Sequence, residues 1–161
     1  MFYVIMGVSG TGKSTIGKLL SKRTGWKFTD ADDFHSPANR EKMNRGIALD
    51  DSDRLPWLQK LEQLISQTLS QNKSGILACS ALKSQYRQML RGNSSKVIFI
   101  YLAGDYECIQ ARIKQRQGHF MNPDLLRSQF EALEAPEDAL VVDVAQTPEQ
   151  IVEEILLSIT D

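Results

Sequence analysis

The strongest constraint on the fold lies at the start of the chain, where a short apolar segment runs into a glycine-rich loop. The segment from Phe2 to Met6 has the length of a buried strand, and Ile16, Leu19 and Leu20 recur at helical spacing after the loop. The loop matches the pattern G-x-x-x-x-G-K-[ST] with the residues Gly7, Val8, Ser9, Gly10, Thr11, Gly12, Lys13 and Ser14. A strand, this loop and a helix in succession predict a unit whose backbone N–H groups surround one anion-sized site.

The residue types in this loop are those of a nucleotide phosphate site. Glycine lets the backbone turn several N–H groups inwards, and the start of the following helix adds partial positive charge. Lys13 suits the β- and γ-phosphates, and the Ser14 hydroxyl is a ligand for Mg²⁺. We therefore predict that residues 7–14, together with Thr15, bind ATP and Mg²⁺, and that Lys13 is also catalytic. The alternative, a chance glycine-rich turn, does not explain the flanking strand and helix.

Apolar and amphipathic segments alternate along the rest of the chain. The predicted strands are 2–6, 27–30, 75–79, 97–102 and 140–144. The predicted helices are 13–24, 37–49, 55–71, 84–91, 105–116, 124–133 and 148–159. Strands that alternate with helices predict βαβ units, and hence an α/β fold with a parallel sheet covered on both faces. Since no linker or repeat divides residues 1–161, we expect one domain with its ligands beyond the carboxyl ends of the strands.

Composition narrows the range of partners and compartments. The formal net charge is −1, without the basic excess that is usual in nucleic-acid-binding domains. The N-terminus lacks the basic segment and cleavage site of a signal peptide, and no apolar run is long enough to span a bilayer. Cys79 and Cys108 lie in apolar segments outside any C-x-x-C pair, which is typical of free thiols in a reducing compartment. We expect a cytoplasmic protein that binds neither nucleic acid nor membrane.

An acidic cluster follows the second predicted strand, at residues 30–35. In an extended segment the side chains of Asp30 and Asp32 point the same way, towards the phosphate loop. One carboxylate then suits the ordering of Mg²⁺ through water, and the other suits the proton of an attacking hydroxyl. From these residues alone, a solvated acidic turn that caps a helix is an equally good interpretation. The phosphate loop favours the functional one.

Cations also stand close to the predicted strand ends. Arg54 follows an acidic run, and Lys83 and Arg87 follow the third strand at a spacing that can bring both to one ligand. An arginine in such a place can clamp an anionic substrate. The alternative for each is a solvated helix face, or for Arg54 a helix start with acidic caps.

A further basic segment predicts a short lid over about residues 112–123. Arg112 and Arg116 are spaced at i,i+4, and Gly118 follows them, which suits a mobile segment that closes over ATP. Arginines in a lid can stabilise the charge on a transferred phosphoryl group. A solvated helix face is as good an interpretation for each arginine, and His119 is equally well a surface histidine.

Taken together, these segments resemble the gluconokinases, a family of small P-loop kinases. The resemblance runs in order through nearly the whole chain. It rests on residues 7–14, 30–35, 39–43 with Gly46, 49–54 with 56–58, 79–83 with 86–87, 118–120, 129–131 and 133–134. The stretches D-D-x-D-R-x-P-W-L and C-S-A-L-K are far more particular to the family than the phosphate loop.

The resemblance implies phosphoryl transfer from ATP to D-gluconate, within gluconate degradation and pentose phosphate metabolism. It implies a three-layer P-loop fold with a five-stranded parallel sheet, as in shikimate and nucleoside monophosphate kinases, and it leaves room for a homodimer. Asp32 becomes the candidate base and Asp30 the candidate for ordering Mg²⁺ with Ser14. By analogy, residues 144–148 read the adenine. The implied substrate contacts are Asp32, His35, Arg54, Lys83, Arg87 and His119, and the catalytic groups are Lys13, Asp32, Arg112 and Arg116.

Two alternatives stay open. Another small-metabolite kinase, such as a shikimate kinase, shares the D-x-D after the second strand, but that family has a glycine triplet where this chain has Ser80, Ala81 and Leu82. A non-catalytic nucleotide-binding regulator would be favoured by loss of the acidic pair or of the lid arginines, and the sequence has both. The sequence lacks the N-K-x-D segment of a small GTPase. Asp143 follows the last strand rather than a central one, which favours a structural role over a metal role.

Overall fold

The computed structural model describes residues 1–115 and 123–159. Its centre is a five-stranded parallel sheet in the order β2-β3-β1-β4-β5. The strands are β1 (Phe2–Met6), β2 (Lys27–Asp30), β3 (Gly75–Ala78), β4 (Val97–Ala103) and β5 (Leu140–Asp143). The predicted α/β class and the predicted five-stranded parallel sheet are thereby confirmed.

Helices cover both faces of this sheet. They are α1 (Lys13–Thr24), α2 (Pro37–Asn44), α3 (Asp51–Ser70), α4 (Ser84–Arg91), α5 (Tyr106–Gln115), α6 (Pro123–Ala132) and α7 (Pro148–Ile159). Alternate residues of a strand point to opposite faces, so Tyr3 and Ile5 join a core with α1 and α7, while Val4 and Met6 join a core with α3 and α4. Among the helices that the structure describes, none is long and apolar enough to cross a membrane.

Two boundaries differ from the sequence prediction in ways that matter for function. The predicted helix 37–49 ends at Asn44, and Gly46 with a φ of 73° follows as the chain turns. The helix predicted from Leu55 begins four residues earlier, at Asp51. Asp50 and Asp53 form a capping box there, each side chain accepting from the other's backbone N–H, and this cap extends the helix beyond its apolar stripe.

The segment after β2 corrects a third expectation. The interpretation that places Asp30 and Asp32 in one extended segment is wrong, because Asp30 ends β2 and Ala31–Phe34 form a 3₁₀ turn. The carboxylate of Asp30 caps this turn by accepting the backbone N–H of Asp32 at 3.0 Å. The position of Asp32 relative to Asp30 therefore comes from a capped turn and not from strand alternation.

The parallel register brings the carboxyl ends of β1, β2 and β3 to one edge. Val4 and Thr29 both pair with Leu77, so the three strands finish side by side. The N–H of Gly7 donates to the carbonyl of Ser80 at 3.2 Å, which ties the phosphate loop to the segment after β3. This is the edge at which an open α/β sheet usually binds its ligands.

Candidate active site

The phosphate loop depends on glycine at two positions that the structure makes clear. Gly7 has a φ of 148°, and a Cβ there would lie 2.9 Å from the carbonyl oxygen of Leu102. Gly10 has a φ of 85°, and a Cβ there would lie 2.8 Å from Cγ1 of Ile113 on α5. The loop therefore lies so close to β4 and α5 that Gly7 and Gly10 have no room for a side-chain carbon.

The start of α1 presents a positive site to this loop. Helix α1 begins at Lys13 and has no acidic residue in its first turn, so its N-terminal N–H groups are available to an anion. The Lys13 ammonium donates to the carbonyl of Val8 at 2.9 Å, and the buried Thr11 hydroxyl donates to the same oxygen at 3.0 Å. These contacts fold the loop around the space in which phosphates would lie.

Two cavities meet at the loop. The smaller cavity, of about 290 Å³, lies against the first turns of α1 and α7. Its lining residues are Gly10, Thr11, Gly12, Thr15, Ile16, Arg112, Gln115, Gln146, Pro148 and Ile151. The larger, of about 630 Å³, runs from Lys13 and Ser14 past Asp32 to Arg54 and Lys83. The loop thus has one cavity on each side, which is the arrangement that a transfer between two bound molecules requires.

The acidic side of the larger cavity begins with a direct link between loop and strand. The Ser14 hydroxyl donates to Oδ2 of Asp30 at 2.7 Å. Adjacent hydroxyl and carboxylate oxygens are the ligand types that Mg²⁺ prefers, usually together with water and phosphate oxygens. Within the described ranges, no group of three or more His, Cys, Asp or Glu residues could hold a metal ion, so a metal here would share its ligands with the nucleotide.

Asp32 and His35 line the same cavity. Burial raises the pKa of Asp32 above its usual value, and the neighbouring charge of Asp30 raises it further. Four-fifths of the Asp32 side chain is still accessible to water in this open cavity, so we expect the full shift only once a ligand displaces that water. A carboxylate with a raised pKa in a cleft is suited to accepting a proton.

His35 is a neutral polar group in this wall. Its ring stacks on Trp57 with centroids 4.2 Å apart, and only 4% of its side chain is exposed. Burial lowers the pKa of His35 to about 4, and the charges of Arg40 and Arg54 act in the same direction. Its Nε2 lies 4.0 Å from Oδ1 of Asp32, so a neutral imidazole stands beside the carboxylate.

The basic end of the larger cavity is formed by Arg54 and Lys83, which come from different elements. Arg54 lies in the first turn of α3, and Lys83 precedes α4 as its N-cap residue. Both cations lie over the ring of Tyr86, at 5.4 Å and 5.6 Å from its centroid. The structure therefore brings together, in one cavity, the predicted residues Lys13, Ser14, Asp30, Asp32, His35, Arg54 and Lys83.

Arg87 does not join them, although it lies one turn beyond Lys83. It is buried, and its guanidinium donates to the carbonyls of Ala81, Leu82 and Glu134 at 2.8, 3.0 and 2.7 Å. It lines neither of the two cavities that meet at the phosphate loop. These contacts fasten the segment after β3 to the chain that follows α6, which is a structural task.

Arg112 lies on the other side of the loop. It lines the smaller cavity with Gln146 and Pro148, and its guanidinium donates to the carbonyl of Val144. Arg112 therefore does not line the larger cavity, in which Asp32, Arg54 and Lys83 lie. Arg116, His119 and most of the predicted lid at 112–123 lie outside the described residues.

One contact in the site was not predicted from the sequence. Gln129 of α6 accepts the N–H of Ser9 at 2.7 Å and donates to the Ser9 hydroxyl at 3.1 Å. Both residues line the larger cavity. The helix that follows the predicted lid is thereby attached to the phosphate loop. Gln129 belongs to the segments that carry the family resemblance, and that is the signal by which the sequence could have indicated it.

Comparisons with known proteins agree with this geometry. The sequence model of the shikimate kinase family matches residues 9–160. The gluconokinase of Arabidopsis thaliana is 47% identical over 167 residues, covering 94% of this chain and 88% of that protein. The thermosensitive gluconokinase of Escherichia coli (strain K12) is 49% identical over 135 residues, covering 84% and 72%. The crystal structure of a gluconokinase from Sinorhizobium meliloti 1021 has a TM-score of 0.87 at 39% identity, covering 98% and 90%. The chain therefore belongs to the gluconokinases, within the wider shikimate kinase family of P-loop kinases.

Proposed function

We propose that this kinase transfers the γ-phosphoryl group of ATP to the 6-hydroxyl of D-gluconate, giving ADP and 6-phospho-D-gluconate. The observation that carries the proposal is the larger cavity, which joins the phosphate loop at Lys13 to a carboxylate at Asp32 and to two cations at Arg54 and Lys83. Gluconate is a linear carboxylate with a primary hydroxyl at its far end. A base near the loop and cations away from it match that molecule end for end.

On the nucleotide side, ATP lies across the phosphate loop with its base in the smaller cavity. Arg112, Gln146 and Pro148 line that cavity and provide one cationic, one amide and one apolar surface for an adenine. The N–H groups of the loop and the Lys13 ammonium hold the phosphates. Ser14 and Asp30 would hold Mg²⁺, which when bound neutralises charge on the phosphate oxygens.

On the acceptor side, Asp32 receives the proton of the 6-hydroxyl. The bond between that oxygen and the γ-phosphorus forms, and the bond from the γ-phosphorus to the β–γ bridging oxygen breaks. His35, neutral above a pH of about 4, offers a hydrogen bond to the sugar hydroxyls without adding charge beside Asp32. Arg54 and Lys83 bind the carboxylate.

Four of the predicted residues lie away from the acceptor carboxylate and the base in this proposal. Arg116 and His119 stay assigned to a lid that closes over the transferred group, as the family resemblance implies. Arg87 supports the site from below through its three carbonyl contacts and does not contact gluconate. Arg112 acts on the nucleotide.

We also propose that the enzyme works in the cytoplasm, without nucleic acid or membrane as partner. A net charge of −1 creates no field for a polyanion, and Cys79 and Cys108 are free thiols. A homodimer is part of the proposal by resemblance, and sedimentation of the purified protein would test it.

ADP release tests the reaction. Purified protein is mixed with Mg·ATP and with gluconate, shikimate, AMP or no acceptor, and the sugar product is identified by ³¹P NMR. We expect release only with gluconate, and none from a Lys13→Ala variant. Release with shikimate or AMP in place of gluconate would refute the acceptor. Nucleotide binding without release for any acceptor would refute the enzyme and favour a regulator.

A further inference from the structure

Two residues that do not line the cavity hold its two cations together. Tyr86 of α4 accepts a hydrogen bond from Nη1 of Arg54 at 3.0 Å, and its own hydroxyl donates to Oδ1 of Asp51. The same Asp51 oxygen accepts from the Lys83 ammonium at 3.3 Å. A single chain of contacts therefore runs from Arg54 through Tyr86 and Asp51 to Lys83.

This chain of contacts limits where each cation can go. An isolated lysine or arginine on a surface samples many rotamers, and holding one in place costs side-chain entropy. Here both cations lie over the Tyr86 ring, and its hydroxyl accepts a hydrogen bond from Arg54 and donates one to Asp51. Tyr86 is itself buried, with 5% of its surface exposed, so it provides a fixed reference for both.

The cluster also sets the charge that an acceptor meets. Arg54 and Lys83 contribute two positive charges, and Asp51 contributes one negative charge, which leaves one unit of positive charge for an incoming carboxylate. Hydrogen bonds from Tyr86, and then from Lys83 and Gln85, lower the pKa of Asp51, so it is ionised under ordinary conditions. The arrangement therefore matches a monoanion.

We propose that Tyr86 and Asp51 are positioning residues for the acceptor carboxylate, which they direct by holding Arg54 and Lys83 at the far end of the cavity. This inference rests on the proposed function. A purely structural contact between α3 and α4 would not change gluconate binding selectively. A positioning role predicts a change in KM for gluconate but not for ATP, and it predicts that this change depends on Arg54.

The test is Tyr86→Phe, which removes one oxygen atom and keeps the ring. We expect KM for gluconate to rise by about fivefold, the loss of a typical hydrogen bond, with kcat and KM for ATP within about twofold of the wild type. Tyr3→Phe is the matched control, because Tyr3 is equally buried but lies near the amino end of β1, whereas the phosphate loop follows the carboxyl end. Its kinetic constants should not change.

A double-mutant cycle separates positioning from packing. Arg54→Lys keeps a charge but shortens the reach to the Tyr86 hydroxyl, so in that background Tyr86→Phe should lower kcat/KM for gluconate by less than about twofold. An equal effect in both backgrounds, an equal effect on ATP, or no effect in either would overturn the inference. If the wild type phosphorylates no gluconate, the proposed function fails. If it does and the cycle is additive, only the positioning role fails.

Discussion

Replacing Asp32 by asparagine tests the centre of the proposed mechanism. The change keeps the shape and removes the group that accepts the proton from the 6-hydroxyl. General bases contribute about a hundredfold to ten-thousandfold in rate, or roughly 3–5 kcal/mol. Because phosphoryl transfer has a loose transition state, in which the nucleophile loses its proton late, the lower end applies. We expect kcat to fall by about a hundredfold.

Substrate binding should survive this change. In the proposed mechanism Lys13 and the loop hold ATP, and Arg54 and Lys83 hold the carboxylate, so both KM values should stay within about threefold of the wild type. Asp33→Asn is the matched control. It removes the same charge at the next residue, whose side chain does not line the cavity. Steady-state ADP release with both substrates varied gives the constants. A kcat within threefold of the wild type, with gluconate binding intact by calorimetry, would refute the base assignment.

The pH dependence offers a second readout of the same residue. A base must be unprotonated to act, so kcat at saturating gluconate should fall as the pH drops through the pKa of Asp32 in the substrate complex, which burial and then Asp30 raise above its usual value. Protonation of His35 near pH 4 would contribute to the same acidic limb of the pH–rate profile. Asp30→Asn would remove one cause of the raised pKa, and the limb should move to lower pH in that variant.

Three further changes test other parts of the structure. Gly10→Ala combines a left-handed backbone, which costs about 1–2 kcal/mol, with a 2.8 Å approach to Ile113, so KM for ATP should rise by at least about tenfold. Arg87→Ala leaves buried carbonyls without a donor, so urea denaturation should show a loss of about 2–3 kcal/mol, while KM for gluconate in the folded protein changes less than twofold. His35 has a pKa lowered from 6.5 to about 4, so the unfolded chain binds more protons between those values and stability falls as the pH drops through them. His35→Gln should lose less stability than the wild type over that range in the same assay.

The sequence predicts an element of the fold well where one local pattern, such as an apolar run or a glycine-rich loop, determines the conformation of the backbone. The strands of the sheet are short runs of buried apolar residues, and all five lie within one residue of their predicted bounds. The phosphate loop was predictable for the same reason, because its glycines and Lys13 act through the backbone next to them. Where two local signals compete, as at the start of α3, the apolar stripe from Leu55 was a poor guide and the capping box of Asp50 and Asp53 decided.

The acceptor end of the site depends on contacts that no local pattern reveals. Lys83 and Arg87 look alike in sequence, as two cations one helical turn apart. They differ because the chain after α6 passes beneath α4, so that Arg87 meets the carbonyl of Glu134, 47 residues away, while Lys83 at the N-cap faces the cavity. Sequence spacing shows which residues can share a ligand, but the path of the rest of the chain decides which of them reaches it.

Residues that position functional side chains through hydrogen bonds are the hardest to predict from sequence. Tyr86 and Gln129 show why. A tyrosine and a glutamine carry no charge that would mark them as functional, and their partners lie 35 and 120 residues away in the chain. Their effect comes from where they fix Arg54, Lys83 and the phosphate loop. A cation in the first turn of a helix meets a carboxylate in a defined place only if something restricts its rotamers. In the proposed site, acceptor binding therefore depends as much on Tyr86, which does not line the cavity, as on Arg54, which does.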